Sequence, residues 1–314
     1  MSKQSGIGAR FAVGGYDLSG DVQALDTIGG SQALLDSTDI TQSAHSRITG
    51  LRDGVMGFTV FMNPSGAHPV LAALPTADTL MTFLAPPLTL GSASACLVAK
   101  QVGYNPTRGA DGSLLMKVEG QGNAFGTEWG VQLTAGYRTD TGATNGTSLD
   151  QGAGFATPSV PASATPVTNT SPLPATVVVS GGTGTNVAIN GVLQGTFDGT
   201  YTVVPGGTIT LTYTVAPTWT WTLQSAFGAQ AYLQVTAIAG TSVTVAVQDS
   251  ADNASFASVT GLTFTAVTAA PNWQRLATAN NATVRRYLRV ITTGTFNPAT
   301  FAVVLNRNLS LTAF

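Results

Sequence analysis

Charge is what this 314-residue chain has least of: Asp, Glu, Lys and Arg together make up 9% of it, where a soluble domain ordinarily carries about a quarter. Few Lys or Glu residues are therefore on hand to guard strand edges, and a net charge of −2 gives little mutual repulsion. A surface of that kind is suited to ordered self-association. Positive charge is scarcest in the middle, with no Lys or Arg between Arg138 and Arg275. Residues 139–222 hold only Asp140, Asp150 and Asp198, whereas residues 223–314 hold five Arg against Asp249 and Asp252. A protein that grips phosphates needs a basic patch, and the small Arg285, Arg286, Arg289 group in a net acidic chain argues against tight DNA binding.

Cysteine and histidine are nearly missing as well. The single Cys96 excludes an internal disulfide, and it sits in the apolar run SACLVA, where a free cysteine is ordinarily a small core residue. His45 and His68 are too few for a histidine-based metal site, and His68 before Pro69 reads as the start of a helix. Glu119 and Glu128, the only glutamates, could form a glycosidase pair, but their spacing specifies nothing and a solvated strand face is the simpler reading. Asp249, Asp252 and Asn253 lack the alternate-position ligands of a calcium loop and read as a polar turn. The expectation is a chain with no catalytic residue, no metal and no cofactor. No run of about eighteen apolar residues is present to span a membrane. Residues 1–15 lack the apolar core of a signal peptide, so synthesis in the cytoplasm is expected.

What is present in quantity is Gly, Thr, Ala, Ser and Val, a composition that favours strands and turns. The most organised stretch is Leu97–Leu133, read as a β-hairpin. Val98, Val102 and Tyr104 lead into a turn at Asn105–Gly112, after which Leu114, Met116 and Val118 alternate with Leu115, Lys117 and Glu119. Upstream, Arg52-Asp53-Gly54 is a turn before a strand at Val55–Met62, and Thr79–Leu84 is another strand. A helix is possible at Gln32–Ser37 and stronger at His68–Leu74, where Pro69 stands early and Pro75 would stop it.

A change of composition divides the chain into a unit at 1–150, a Gly/Thr- and Pro-rich linker at 151–174, a small all-β unit at 175–222 and a larger one at 223–314. In the small unit, short strands separated by Gly-Gly turns, TITLTYTV among them, have the spacing of a sandwich. At about fifty residues its core is marginal in isolation. The fold class is therefore mainly β: an N-terminal antiparallel barrel or sandwich with one short helix, then two all-β, immunoglobulin-like sandwiches. Trp219 and Trp221, two apart on one strand, either stack on a sugar or fill the small core.

The order of motifs in residues 16–150 resembles the major tail proteins, or tail tube proteins, of long-tailed bacteriophages. ITGLRDG is followed by GFTVFMNP, AHPVLAALPTAD, VAKQVGYNPTRGADGSL and GTEWGVQLTAGYRTDT. FGAQAYLQV, SVTVAVQDSADNASF and TVRRYLRVITTGTF are similar to the β-sandwich that commonly follows in such proteins, and residues 175–222 look like an inserted immunoglobulin-like domain. The resemblance implies a virion structural protein whose subunits form rings, usually sixfold, that stack into the tube through which the genome passes. Its partners would be further copies of itself, the tail terminator, tape-measure and distal tail proteins, and DNA in transit without tight binding. In such folds a hairpin of each subunit joins an inner barrel, which makes Lys100, Tyr104, Arg108, Asp111, Lys117 and Glu119 candidates for inter-subunit or lumen contacts. A capsid or capsid-decorating protein uses similar sandwiches. A carbohydrate-binding adhesin is a third reading, with Trp219 and Trp221 as the surface for host glycans.

Overall fold

Residues 5–30, 32–74 and 77–308 are described by the structure, a computed structural model. Met1–Gln4, Pro75 as the expected helix stop, and Leu309 at the end of the run FAVVLNRNL lie outside them. Within the described residues the chain is mainly β, in antiparallel sheets, with one short helix at Ala67–Leu71. That helix starts one residue ahead of His68 and ends three short of Leu74.

The N-terminal strands run Tyr16–Asp17, Arg10–Val13, Thr79–Leu84, Ala93–Arg108 across one sheet. The strand Ala93–Arg108 changes partner halfway: Ser94–Ala99 pair with Thr79–Leu84, and Ala99–Arg108 pair with Leu114–Gly122. Leu114–Gly122 pairs with Val55–Phe61, and that strand with Val22–Gly29. The bend encloses a core that includes Phe11, Phe58, Leu71, Leu97 and Met116. The expected hairpin is therefore present, but its strands reach further than the sequence indicates. Asn105–Arg108 are still paired, and the turn shrinks to Gly109–Ser113, closed by the Gly109 amide on the Ser113 carbonyl at 2.8 Å. Pro106 is tolerated because this half of the strand has a neighbour on one side only, so its missing N–H breaks no second ladder.

Gln32–Ser37 is not helical. Gln32–Asp36 is a strand paired with Arg47–Arg52, Leu35 opposite Ile48 and Asp36 opposite Arg47. The helical reading failed because the decisive signal lies between the strands. The Asp36 carboxylate accepts the Thr38 amide at 2.9 Å and the Asp39 carboxylate the Thr41 amide at 2.8 Å, local turns that reverse the chain.

The break expected near residue 150 does not interrupt the sheet. Glu128–Gln132 pairs on one side with Ala93–Cys96 and on the other with Tyr287–Arg307, which runs antiparallel to Ala229–Ser250 along nearly its whole length. Leu80, Leu84, Cys96 and Val98 from the N-terminal part pack with Tyr232, Ala302 and Val304 from the C-terminal part. The Gly- and Thr-rich stretch after Arg138 is stitched along the same long strand through Arg138–Asp140, Thr144–Asn145 and Leu149–Asp150. Two arginines pin it: Arg138 donates to the Val290 carbonyl of the long strand at 3.1 Å, and Arg286 pairs with Asp150 through two bonds at 2.7 and 2.8 Å. Composition alone reads as slack here because Gly and Thr say nothing about a distant strand with an open edge.

The inserted unit is a sandwich of two four-stranded sheets, and it draws on residues outside 175–222. Pro166–Thr168, from the expected linker, is an edge strand on Thr208–Val215, and Val284–Arg285, from the C-terminal segment, extends the opposite sheet. The side chain of buried Asn169 donates to the carbonyls of Leu173 and Val203 at 2.8 Å each. A core this small needs such additions to shed enough apolar surface from water.

Candidate functional site

The hairpin residues singled out from the sequence divide between its two faces. On Leu114–Gly122, Met116, Val118 and Gly120 are buried while Lys117 and Glu119 are exposed, the period-two alternation of a sheet with one wet face. Lys117 stands between Asn105 and Thr59 on the flanking strands, and Glu119 between Gly103 and Gly57. These two charges therefore share one outward surface. Tyr104 does not join them. It pairs opposite Val118, its ring packs toward the core, and its hydroxyl lies 2.8 Å from His68 Nδ1. Burial pushes the Tyr104 phenol up from its ordinary value. Lys100 is engaged with Asp78, Nζ to carboxylate 2.8 Å, and that hydrogen bond holds the Asp78 carboxyl below the usual range. Asp111 belongs to the turn, accepting the Ser113 amide at 3.0 Å and hydroxyl at 2.8 Å. Arg108 is exposed at the strand end beside it.

The glycan platform has a different fate. Trp219 and Trp221 are 9% and 7% exposed and lie in the core of the inserted sandwich with Val177, Val187 and Ile209. Their rings meet edge to face at 5.4 Å, and Trp219 Nε1 donates to the Pro158 carbonyl at 2.8 Å. Along Thr218–Ser225 the exposed positions are Thr218, Thr220 and Thr222, so neither indole offers a face to a sugar. The small core needed both for volume, which decides between the two readings of the alternating pair.

Glu119 and Glu128 stand in different surroundings. Glu119 is exposed, whereas Glu128 is buried, taking a hydrogen bond from the Tyr232 hydroxyl and pairing with Arg275 at 3.5 Å.

The strongest surface feature was not foreseen. The strands Gln32–Asp36 and Arg47–Arg52 form a two-stranded sheet of their own, an arm paired with no other strand among the described residues. Leu34, Leu35, Ile40, Ile48 and Leu51 are all exposed on it, Leu51 at 89%. Gly30 sits where the arm leaves the body; a Cβ there would fall 2.1 Å from the Asp53 carbonyl oxygen, a backbone atom that cannot move aside. An isolated hairpin is marginal in water, and five exposed large aliphatic side chains on one such arm mark a contact surface. The sequence signal was Leu34, Leu35, Ile40, Ile48 and Leu51 set singly or in pairs among polar, Ala and Gly residues.

No family model matches the chain, and no curated protein matches it. Among solved structures, it is similar to the crystal structure of SPP1 Dit (gp 19.1), described as a paradigm of the hub adsorption apparatus in phages that infect Gram-positive bacteria. The identity is 12%, the match covers 94% of this chain and 98% of that one, and the TM-score is 0.28.

Proposed function

We propose that this chain is a structural protein of a phage tail that polymerises through stacked rings into the tail tube, acting by assembly and not by catalysis. The observation that carries the reading is the arm at Gln32–Arg52. It exposes aliphatic side chains that its own chain leaves uncovered, and burying them against a neighbour would release about 25 cal/mol for each Å² taken from water. The order of motifs in residues 16–150 points the same way, as does the lack of charge that would oppose close packing of copies. The wet face carrying Lys117 and Glu119, with one charge of each sign, suits a lumen that lets DNA pass without holding it. In this reading the inserted sandwich decorates the tail surface, the protein resides in the virion, and the tube ends meet terminator, tape-measure and distal tail proteins.

Electron microscopy of the purified full chain tests this. Hollow tubes or stacked rings are the expected result. Isolated monomers or trimers that coat phage heads would overturn it in favour of capsid decoration.

A further inference from the structure

Between the shared sheet and the base of the inserted sandwich lies an open groove of about 470 Å³. Its lining is mostly apolar, with Val131, Leu149, Leu173 and Leu305, and Trp129 stands in it half exposed, at 52%. A large aromatic left this wet beside an apolar groove is the kind of residue around which interfaces form. Arg307 lines the same groove, yet it is buried, and among the described residues its hydrogen bonds go to uncharged oxygens: Gln151 Oε1 and the carbonyls of Val284 and Arg285. Arg275, Arg285 and Arg286 each have a carboxylate, and Asp150 at the groove edge is already taken by Arg286. Burial pulls the Arg307 guanidinium down to about 9 although the nearby Asp249 charge acts in the opposite direction, so this cation is only partly compensated.

The arm offers what the groove lacks. Arg47 and Arg52 offset Asp36 and Asp39 over the arm as a whole, and Asp36 faces His45 at 3.1 Å, but the tip at residues 37–44 carries Asp39 and no basic residue, and Ile40 there is fully exposed. We infer that the groove receives the arm of a second copy, with Ile40 against Trp129 and the Asp39 carboxylate facing Arg307. This rests on the polymeric reading above and names the acceptor surface for it. Because arm and groove are different surfaces of one chain, the contact is head to tail and propagates from copy to copy.

The test uses full-length chains with single substitutions at exposed sites. Gln42→Cys places a thiol near the tip and Ala93→Cys one on the groove rim, while natural Cys96 is buried. The two variants are mixed and oxidised, and a covalent dimer is expected that is lost when Val192→Cys, on the inserted unit, replaces Ala93→Cys. Adding Trp129→Ala to the rim variant should cut dimer yield about tenfold or more. Tubes without a dimer above the Val192→Cys control overturn the groove assignment and leave the polymeric reading standing. A dimer without tubes supports the docking and overturns the tube. Neither dimer nor tubes overturns both.

Discussion

The Tyr232 hydroxyl donates to the buried Glu128 carboxylate, and that bond joins a strand of the C-terminal segment to one of the N-terminal segment. Arg275 completes the group, its Nε 3.3 Å from the Tyr232 hydroxyl and its guanidinium stacked 3.7 Å from the Phe125 ring centre. Desolvation, with the negative Glu128 beside it, pushes the Tyr232 phenol well above its usual range, so it stays a donor.

Glu128→Ala should therefore cost far more than a surface change. It strands the nearly buried Arg275 without its counter-charge, and about 3 kcal/mol or more is expected from breaking such a pair. Denaturant unfolding monitored by tryptophan fluorescence checks this; a loss below about 0.5 kcal/mol would mean that the cluster does not join the two segments.

Trp219→Ala and Trp221→Ala should each destabilise the inserted sandwich by about 3–5 kcal/mol, the range for emptying an aromatic site in a core. Glycan arrays with the unsubstituted protein should show no binding that depends on either indole. Retained thermal stability in either variant would contradict their burial.

Leu51→Asp should leave the fold intact, within about 0.5 kcal/mol, because the side chain is solvated in the single chain. Tube formation should nevertheless fail, since a carboxylate would have to be buried at the contact. Circular dichroism establishes the first outcome and negative-stain microscopy the second.

Stability should fall in acid through the Asp150–Arg286 pair. The bonds from Arg286 hold the Asp150 carboxyl below its ordinary 3.8. With the folded value depressed, the contribution is complete above the unfolded value and disappears as pH drops below about 4 through the folded one. Asp150→Asn should flatten the stability profile in that window, and denaturation midpoints between pH 2 and 6 would reveal a profile left unchanged.

Single strands with a clean period were legible in the sequence: Thr79–Leu84 matches its expected bounds, and Val55–Phe61 and Leu114–Gly122 nearly do. Period two is a local property, so it survives whatever the strand later pairs with. Gln32–Asp36 and the residues after Arg138 were not legible, because each becomes a strand only through a partner far along the chain or through Asx turns between the strands. Of the hairpin candidates, Lys117 and Glu119 were placed on the wet face by alternation, while the inward turn of Tyr104 required knowing where the Ala67–Leu71 helix packs.

By itself the sequence determined the mainly β class and a surface poor in the charge that resists self-association. Only the tertiary structure decided that the N- and C-terminal parts share one sheet, that Trp219 and Trp221 are core, and that Leu51 and Trp129 are left in water. Composition and periodicity report which residues prefer burial, whereas which of them achieve it depends on strand pairings between distant segments. The chain has more apolar surface than its own pairings can cover.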